Sequence, residues 1–408
     1  MPKRLLILLL FSIQLQLCWA QKSIGFVMKS HKAKVTVPFT LINNLVVIPI
    51  TINNKITLKY ILDTGASSPI LTERLFGDII GLNYDREILI SGPGIQDSIG
   101  AYVSNNNKLQ ITPEVYGAFL PILVLEQDYI ELKKNLGEDI FGIFGYEVFS
   151  RFIVKIDYDK LEVTFYDPKK FRKPLGYKTY DLHLENTKPY ITSVVKQNDK
   201  TDTLKLMVDS GASHALLLDL NESKYLARPD STLETSLGHG LGGEIPGRIG
   251  RFKEYQIGNF SFDDVLVSIP DVGIYSNSIK RGSRHGTVGG AMLKRMNPII
   301  DYYNGKIHLQ RSSYYREPFR WDMSGLRISY LENPSRIEIT GITPNSPAED
   351  IGLKVGDVVI NINGMNIISH KLSDIYGHLK RKENRKIRIE VERDHERMRF
   401  IFRLRKMI

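Results

Sequence analysis

Two short runs carry the residues best suited to chemistry. Asp63-Thr64-Gly65-Ala66-Ser67 follows Tyr60-Ile61-Leu62, and Asp209-Ser210-Gly211-Ala212-Ser213 follows Leu206-Met207-Val208. An aspartate straight after a buried-type strand, then a small hydroxyl residue and Gly, reads as a tight turn presenting a carboxylate at a strand end. Two carboxylates brought within a few ångströms do not both ionise cheaply, so they share one proton and titrate as a pair. The ionised member takes a proton from a bridging water, which attacks a carbonyl, and the protonated member donates to the carbonyl oxygen. No covalent intermediate is needed. One Asp-Thr-Gly or Asp-Ser-Gly is common in ordinary turns, so the two are informative only as parts of one duplicated unit.

Counting shows the duplication. Gly92 and Gly94 lie 29 and 31 residues after Asp63, and Gly238 and Gly240 lie 29 and 31 after Asp209. Ile143-Phe144-Gly145 ends 82 residues beyond Asp63, and Thr287-Val288-Gly289 ends 80 beyond Asp209. Asp157, in Val154-Lys155-Ile156-Asp157-Tyr158, comes 94 residues after the first aspartate; Asp301, in Pro298-Ile299-Ile300-Asp301-Tyr302, comes 92 after the second. The two-residue difference persists, as one small deletion would leave it, so a whole structural unit is repeated.

Asp-Thr/Ser-Gly-Ala, a Gly-rich segment some 30 residues on and an aliphatic-aliphatic-Gly segment near 80 together resemble the pattern of the retropepsin-like aspartic proteases, over roughly residues 34–312. The resemblance implies a mainly β fold with two acid-protease-like β-barrel lobes. Each lobe would contribute one catalytic aspartate, Asp63 and Asp209, to an endopeptidase acting on peptide or protein substrates. It also implies that Thr64 and Ser210 bond to backbone across the lobe interface, and that Gly65 and Gly211 let their amides reach the carboxylates. Gly92, Pro93 and Gly94 would form the tip of one substrate-covering flap, and Gly238, His239 and Gly240 part of a second. Retroviral members supply the lobes from two chains; here one chain carries both, which makes a monomer the expectation.

Stepping along the chain, Lys3 and Arg4 precede the apolar run Leu5 to Phe11, and Cys18-Trp19-Ala20 puts a small residue before Gln21. This reads as a signal peptide cleaved after Ala20, hence an exported protein, periplasmic, secreted or held at the cell envelope. The run is too short for a membrane span of about 20 apolar residues. A lipoprotein reading of Cys18 meets Leu17 where a small residue is wanted. Cys18 is the only cysteine, so the mature chain has no disulfides and is held by its cores. The histidines show no metal-ligand spacing, and neither a phosphate loop nor a Gly-x-Ser-x-Gly elbow is present. No metal or cofactor is expected.

The lobes read as residues 34–168 and 176–312, joined by a linker at Lys169 to Leu175. Val35 to Phe39, Val46 to Ile52 and Ile56 to Leu62 are β-branched runs broken by Asn43-Asn44 and Asn53-Asn54, pairs that tolerate hairpin-turn conformations. The second flap is read as Gly238 to Gly250. Beyond Trp321, Ser346-Pro347-Ala348, Gly352-Leu353, Gly356-Asp357 and Ile362-Asn363-Gly364 resemble a small α+β PDZ domain over 322–408. That resemblance makes Ser324-Gly325-Leu326-Arg327-Ile328 the carboxylate-binding loop and groove strand, and Leu372 to Lys382 the groove helix. A peptide C-terminus would add to the sheet edge there. Arg327 departs from the apolar or small residue usual at its position, and a PDZ fold serving only as a structural cap is the alternative.

The formal charge of +10 is concentrated in residues 371–408, with 13 Lys/Arg against 6 Asp/Glu. These charges alternate with Ile387, Ile389 and Val391, then with Phe400, Phe402 and Leu404. That period of two reads as half-buried strands rather than a nucleic-acid-binding tail. His214 and His239 stand where they could tune a pH response, though both are more simply packed or solvated; Tyr158 and Tyr302 read as core or interface residues. Two other readings fit the same residues: a pseudoprotease that binds peptide without cutting it, and a scaffold working mainly through its PDZ domain. Ala66 and Ala212 stand where pepsins have a serine able to hydrogen-bond the ionised carboxylate and lower its pKa. A dyad lacking that donor in both copies is expected to work nearer neutral pH than pepsin's. A pH-rate optimum at or below about 3 would contradict this.

Overall fold

The computed structural model describes residues 25–29, 32–95, 98–273, 284–332, 335–367 and 370–408. The export segment Met1–Ala20 lies outside them. The paired asparagines make the turns their chemistry suggests. Asn43 and Asn44 (φ 46° and 67°) connect Thr40–Ile42 to Leu45–Ile52, and Asn53 and Asn54 (φ 50° and 56°) connect that strand to Ile56–Leu62. Positive φ at both central positions matches the twist of the flanking strands.

The strand before each aspartate is joined in parallel by a short strand from far along the chain. Gly142–Phe144 lies against Tyr60, Ile61 and Leu62, and Gly286–Val288 against Leu206, Met207 and Val208. The Asp63 amide donates to the Phe144 carbonyl at 2.8 Å, and the Asp209 amide to that of Val288 at 2.9 Å. The glycine that follows each short strand is a steric requirement. A Cβ at Gly145 would sit 1.7 Å from the Asp63 carbonyl oxygen, and one at Gly289 2.3 Å from that of His214. Among the described residues the first copy builds a nine-stranded sheet, which also takes in Gly25–Met28 ahead of residue 34, and the second an eight-stranded sheet.

A third sheet, of six strands, holds the two copies together. Its order is Lys178–Asp181, Lys306–Leu309, Ile299–Asp301, Ile153–Asp157, Glu162–Tyr166 and Lys34–Pro38. Val154 pairs with Ile300 and Lys155 with Ile299, so the two matching landmarks of the repeat are neighbours. One apolar core, with Ile48, Leu62, Val154, Val208 and Ile300 among its buried members, runs through both lobes.

The C-terminal sheet has its own core. Its strands run in the order Leu326–Glu332, Ser335–Ile342, Val358–Ile362, Lys386–Arg393, Glu396–Arg403, with the helix Leu372–Leu379 packed on it. Ile387, Ile389 and Val391 are buried while their basic neighbours point outward, and Asp394 and His395 turn the last hairpin at φ 51° and 65°. Two boundaries differ from the sequence reading. The helix ends at Leu379, and the segment read as the second flap is a hairpin of Leu233–Gly240 and Gly243–Ile257, so Pro246 to Gly250 lie within a paired strand. Among the described residues no helix is long and apolar enough to cross a membrane.

Because Ile300 is fully buried on the strand that ties one lobe to the other, Ile300→Ala is expected to cost about 2–5 kcal/mol. Both lobes are expected to melt in one transition. Separate transitions by calorimetry would show that the shared sheet does not couple them.

Candidate active site

Asp63 and Asp209 emerge from the ends of the two parallel-braced strands and meet: a Cβ on Gly65 would lie 2.9 Å from Asp63 Oδ1 and 3.1 Å from Asp209 Oδ1. Beneath them lies a buried exchange of four hydrogen bonds. The Thr64 hydroxyl donates to the Val208 carbonyl (2.7 Å) and the Ser210 hydroxyl to that of Leu62 (2.7 Å). The Thr64 amide donates to Ser210 Oγ (3.0 Å), and the Ser210 amide to Thr64 Oγ1 (3.0 Å). Each hydroxyl thus serves both lobes at once, which explains a short hydroxyl residue at both positions. The Gly65 amide donates to Asp63 Oδ1 at 2.5 Å and the Gly211 amide to Asp209 Oδ1 at 3.0 Å. A Cβ on Gly211 would lie 2.2 Å from Asp63 Cγ, so the close approach of the two turns needs glycine there.

Burial, and then the charge and hydrogen bonding of Asp209, hold the Asp63 carboxyl well above the usual carboxylate range; Lys188 and the Gly65 amide pull it down. The Tyr302 hydroxyl donates at 3.4 Å to the Thr64 carbonyl, placing this residue under the dyad rather than only in the core. His214 borders the cleft. Burial pushes it down to about 4 against the opposing charge of Asp209, and its Nε2 is buried without a hydrogen-bond partner among the described residues.

The glycine-rich tips meet above this floor. The Gly242 amide donates to the Pro93 carbonyl at 2.9 Å, and Gly94 and Gly242 form a backbone bridge. A Cβ at Gly94 would come 2.1 Å from the Gly242 carbonyl carbon, and one at Gly240 2.3 Å from the Pro93 oxygen. Ser91 to Gly94 therefore stand where the sequence placed a tip, whereas the second tip is at Leu241-Gly242, just past Gly238, His239 and Gly240. His239 lies on the side of that hairpin, its Nε2 3.2 Å from Glu131.

A single cavity of about 1510 Å³ is bordered by the aspartates, both flaps and the C-terminal sheet. Leu326–Glu332 is the edge strand of that sheet, and helix Leu132–Leu136 of the first lobe packs on it. Arg327 Nη1 lies 3.6 Å from Glu244 beside the second flap, and Glu138 pairs with Lys371 (2.6 Å) at the start of the PDZ helix.

The loop expected to hold a ligand's carboxylate is already occupied. Asp322 accepts the Ser324 amide (3.1 Å), the Ser324 hydroxyl (2.7 Å) and the Gly325 amide (2.5 Å), while the Leu326 amide goes to Ser324 Oγ (3.1 Å). Burial pushes Asp322 up to about 6. On the edge strand, the Ile328 amide donates to the Tyr376 hydroxyl, which donates back to the Ile328 carbonyl, both at 3.0 Å. Those are main-chain groups that an added strand would use. Asp322, Tyr376 and Lys188 were not picked out by sequence, and Tyr302, read as a core or interface residue, is buried at the interface. Lys188 had a signal: it follows the Asn186-Thr187 turn as Leu45 follows Asn43-Asn44, although it lies 21 residues before Asp209 and Leu45 lies 18 before Asp63.

The aspartyl protease family profile matches residues 194–290, and the PDZ domain profile matches residues 338–393. A probable CtpA-like serine protease of Staphylococcus saprophyticus is 27% identical over 106 residues, 26% of this chain and 21% of the relative. The protein of the same name from Staphylococcus aureus strain COL is 25% identical over 98 residues, 24% of this chain and 20% of the relative. The chain spans about a fifth of the length of these curated relatives. A crystal structure of an aspartic proteinase from Irpex lacteus aligns with a TM-score of 0.42 and 13% identity, over 70% of this chain and 99% of that one. The chain carries an aspartyl protease-like region together with a PDZ domain.

Thr64→Val keeps the volume of the side chain but leaves the Val208 carbonyl and the Ser210 amide buried without their partner. At about 1–3 kcal/mol for each such group, the loss is expected to be about 2–5 kcal/mol, read from the urea midpoint. A loss within about 0.5 kcal/mol would show that the exchange contributes little to the stability of the lobe interface.

Proposed function

We propose that the chain is an exported aspartic-type endopeptidase. A water held between Asp63 and Asp209 attacks the peptide carbonyl, one carboxyl acting as base and the other as acid, and the two flaps cover the bound substrate. The observation that carries this reading is the close carboxyl pair, both members within about 3 Å of one point above Gly65, at the floor of a flap-covered cleft. Export rests on the reading of Met1–Ala20, and the peptide-binding role on the PDZ domain at the cleft.

The named relatives are serine proteases, but they share only a fifth of their length with this chain. Ser67, which borders the cleft, pairs its hydroxyl with Thr187 at 2.8 Å and not with Lys188 or His214, so the serine lacks an adjacent base. The carboxyl pair is the better-formed apparatus.

Turnover of a quenched peptide pool by the chain freed of residues 1–20 is expected to fall by about 10³-fold or more in Asp63→Asn and in Asp209→Asn, with both variants still folded by circular dichroism. Retained turnover in either variant rules out this mechanism, and absence of turnover in the parent protein favours a peptide-binding role.

A further inference from the structure

The two active-site turns are alike, but what lies against them is not. Leu45, the first strand residue after the Asn43-Asn44 turn, is buried and apolar. Its counterpart after the Asn186-Thr187 turn is Lys188, whose Nζ donates to the carbonyl of Gly65 in the other lobe's turn. The lysine is half-buried and borders the cavity; burial lowers its pKa, and Asp63 and then Asp209 oppose that pull by favouring the ammonium. One lobe therefore delivers a cation to the carboxyl pair, and the other delivers none from the matching position.

We propose that Lys188 is a positioning residue of the dyad, its ammonium, held on the Gly65 carbonyl, setting the pH range over which the two carboxyls keep a single proton between them. This deepens the aspartic protease reading and rests on it. A positive charge beside a carboxyl favours the ionised form, so Lys188 opposes the upward pull that burial and the neighbouring carboxylate exert on Asp63. Removing it therefore moves the ionisations of the pair to higher pH.

The other groups facing the pair and the lysine do not supply this charge. His214 is neutral except in acid, because burial holds it at about 4. Tyr302 is a neutral hydroxyl, burial and both aspartates raising its pKa, with Tyr146 adding a smaller push. Glu147, pushed up to about 7 by burial, interacts with Lys188 and favours the ammonium once ionised. Arg284, itself buried at the cavity, acts against the charge on Lys188.

The test compares the parent chain with Lys188→Met, Lys188→Gln and Lys188→Arg. Lys188→Gln retains a donor for the Gly65 carbonyl without the charge, and it separates electrostatics from anchoring if Lys188→Met does not fold. Two readouts are needed: the pH dependence of kcat/KM, and ¹³C titration of aspartate carboxyls in the intact chain, assigned with Asp63→Asn and Asp209→Asn. Both neutral variants are expected to shift the limbs of the pH profile and the paired carboxyl titrations upward by about one unit or more, with Lys188→Arg near the parent. Carboxyl titrations that stay in place in the folded Lys188→Gln variant, or a uniform loss of rate with no shift in profile, would overturn the proposal. The NMR titration decides the role of Lys188 even if the chain turns over no peptide, so failure of this inference is distinguishable from failure of the protease reading.

Discussion

Everything at the cleft depends on forcing two acidic side chains together, and the Thr64–Ser210 exchange is what makes that geometry persist. Carboxylates in contact repel when both are ionised, and their burial adds to the penalty. Against this stand four short, buried hydrogen bonds spanning the lobes, a shared six-stranded sheet and an apolar core that does not stop at the boundary between the copies. The arrangement is redundant by symmetry: each turn holds its own carboxylate with a glycine amide and grips the opposite strand with a hydroxyl. The dyad is a property of the interface, and neither lobe alone has it.

Much of this was legible in the sequence because the repeat is strict where geometry is strict. Gly145 and Gly289 have no room for a side chain, so each copy keeps a glycine there, 82 and 80 residues past its aspartate. The paired asparagines advertise positive φ, and the alternating C-terminal charges advertise strands. Elements fixed by long-range contact were not legible. The turn before Lys188 marks its position without marking its role, and nothing local to Tyr302 or Asp322 distinguishes them from core residues of the same type. Their roles arise from a carbonyl in another lobe, a turn 238 residues away, and a loop that folds back on a preceding side chain. The second flap is read as Gly238 to Gly250 without its tip, because a glycine pattern marks the hairpin without marking which residues turn it.

The two copies have diverged around their common frame. Histidine follows the second Asp-Ser-Gly-Ala-Ser run where proline follows the longer serine run of the first, and a lysine in one lobe answers a leucine in the other. The floor formed by the two aspartate turns is nearly symmetric while its walls are not. A peptide chain lying in this cleft, having a direction, would meet different surroundings on its two sides although the two turns are built alike.

Asp322 changes how the C-terminal domain must be regarded. Its carboxylate already fills the amides of Ser324 and Gly325. An incoming chain end bearing a carboxylate has to displace a tethered rival whose effective concentration is of millimolar order or higher, as for any short intramolecular link. If a chain end is the ligand of this loop, a peptide held only by its terminus competes poorly with Asp322, and one that also grips the adjoining cleft competes better. In such a pocket, selectivity comes from what the visitor can grip beyond its terminus.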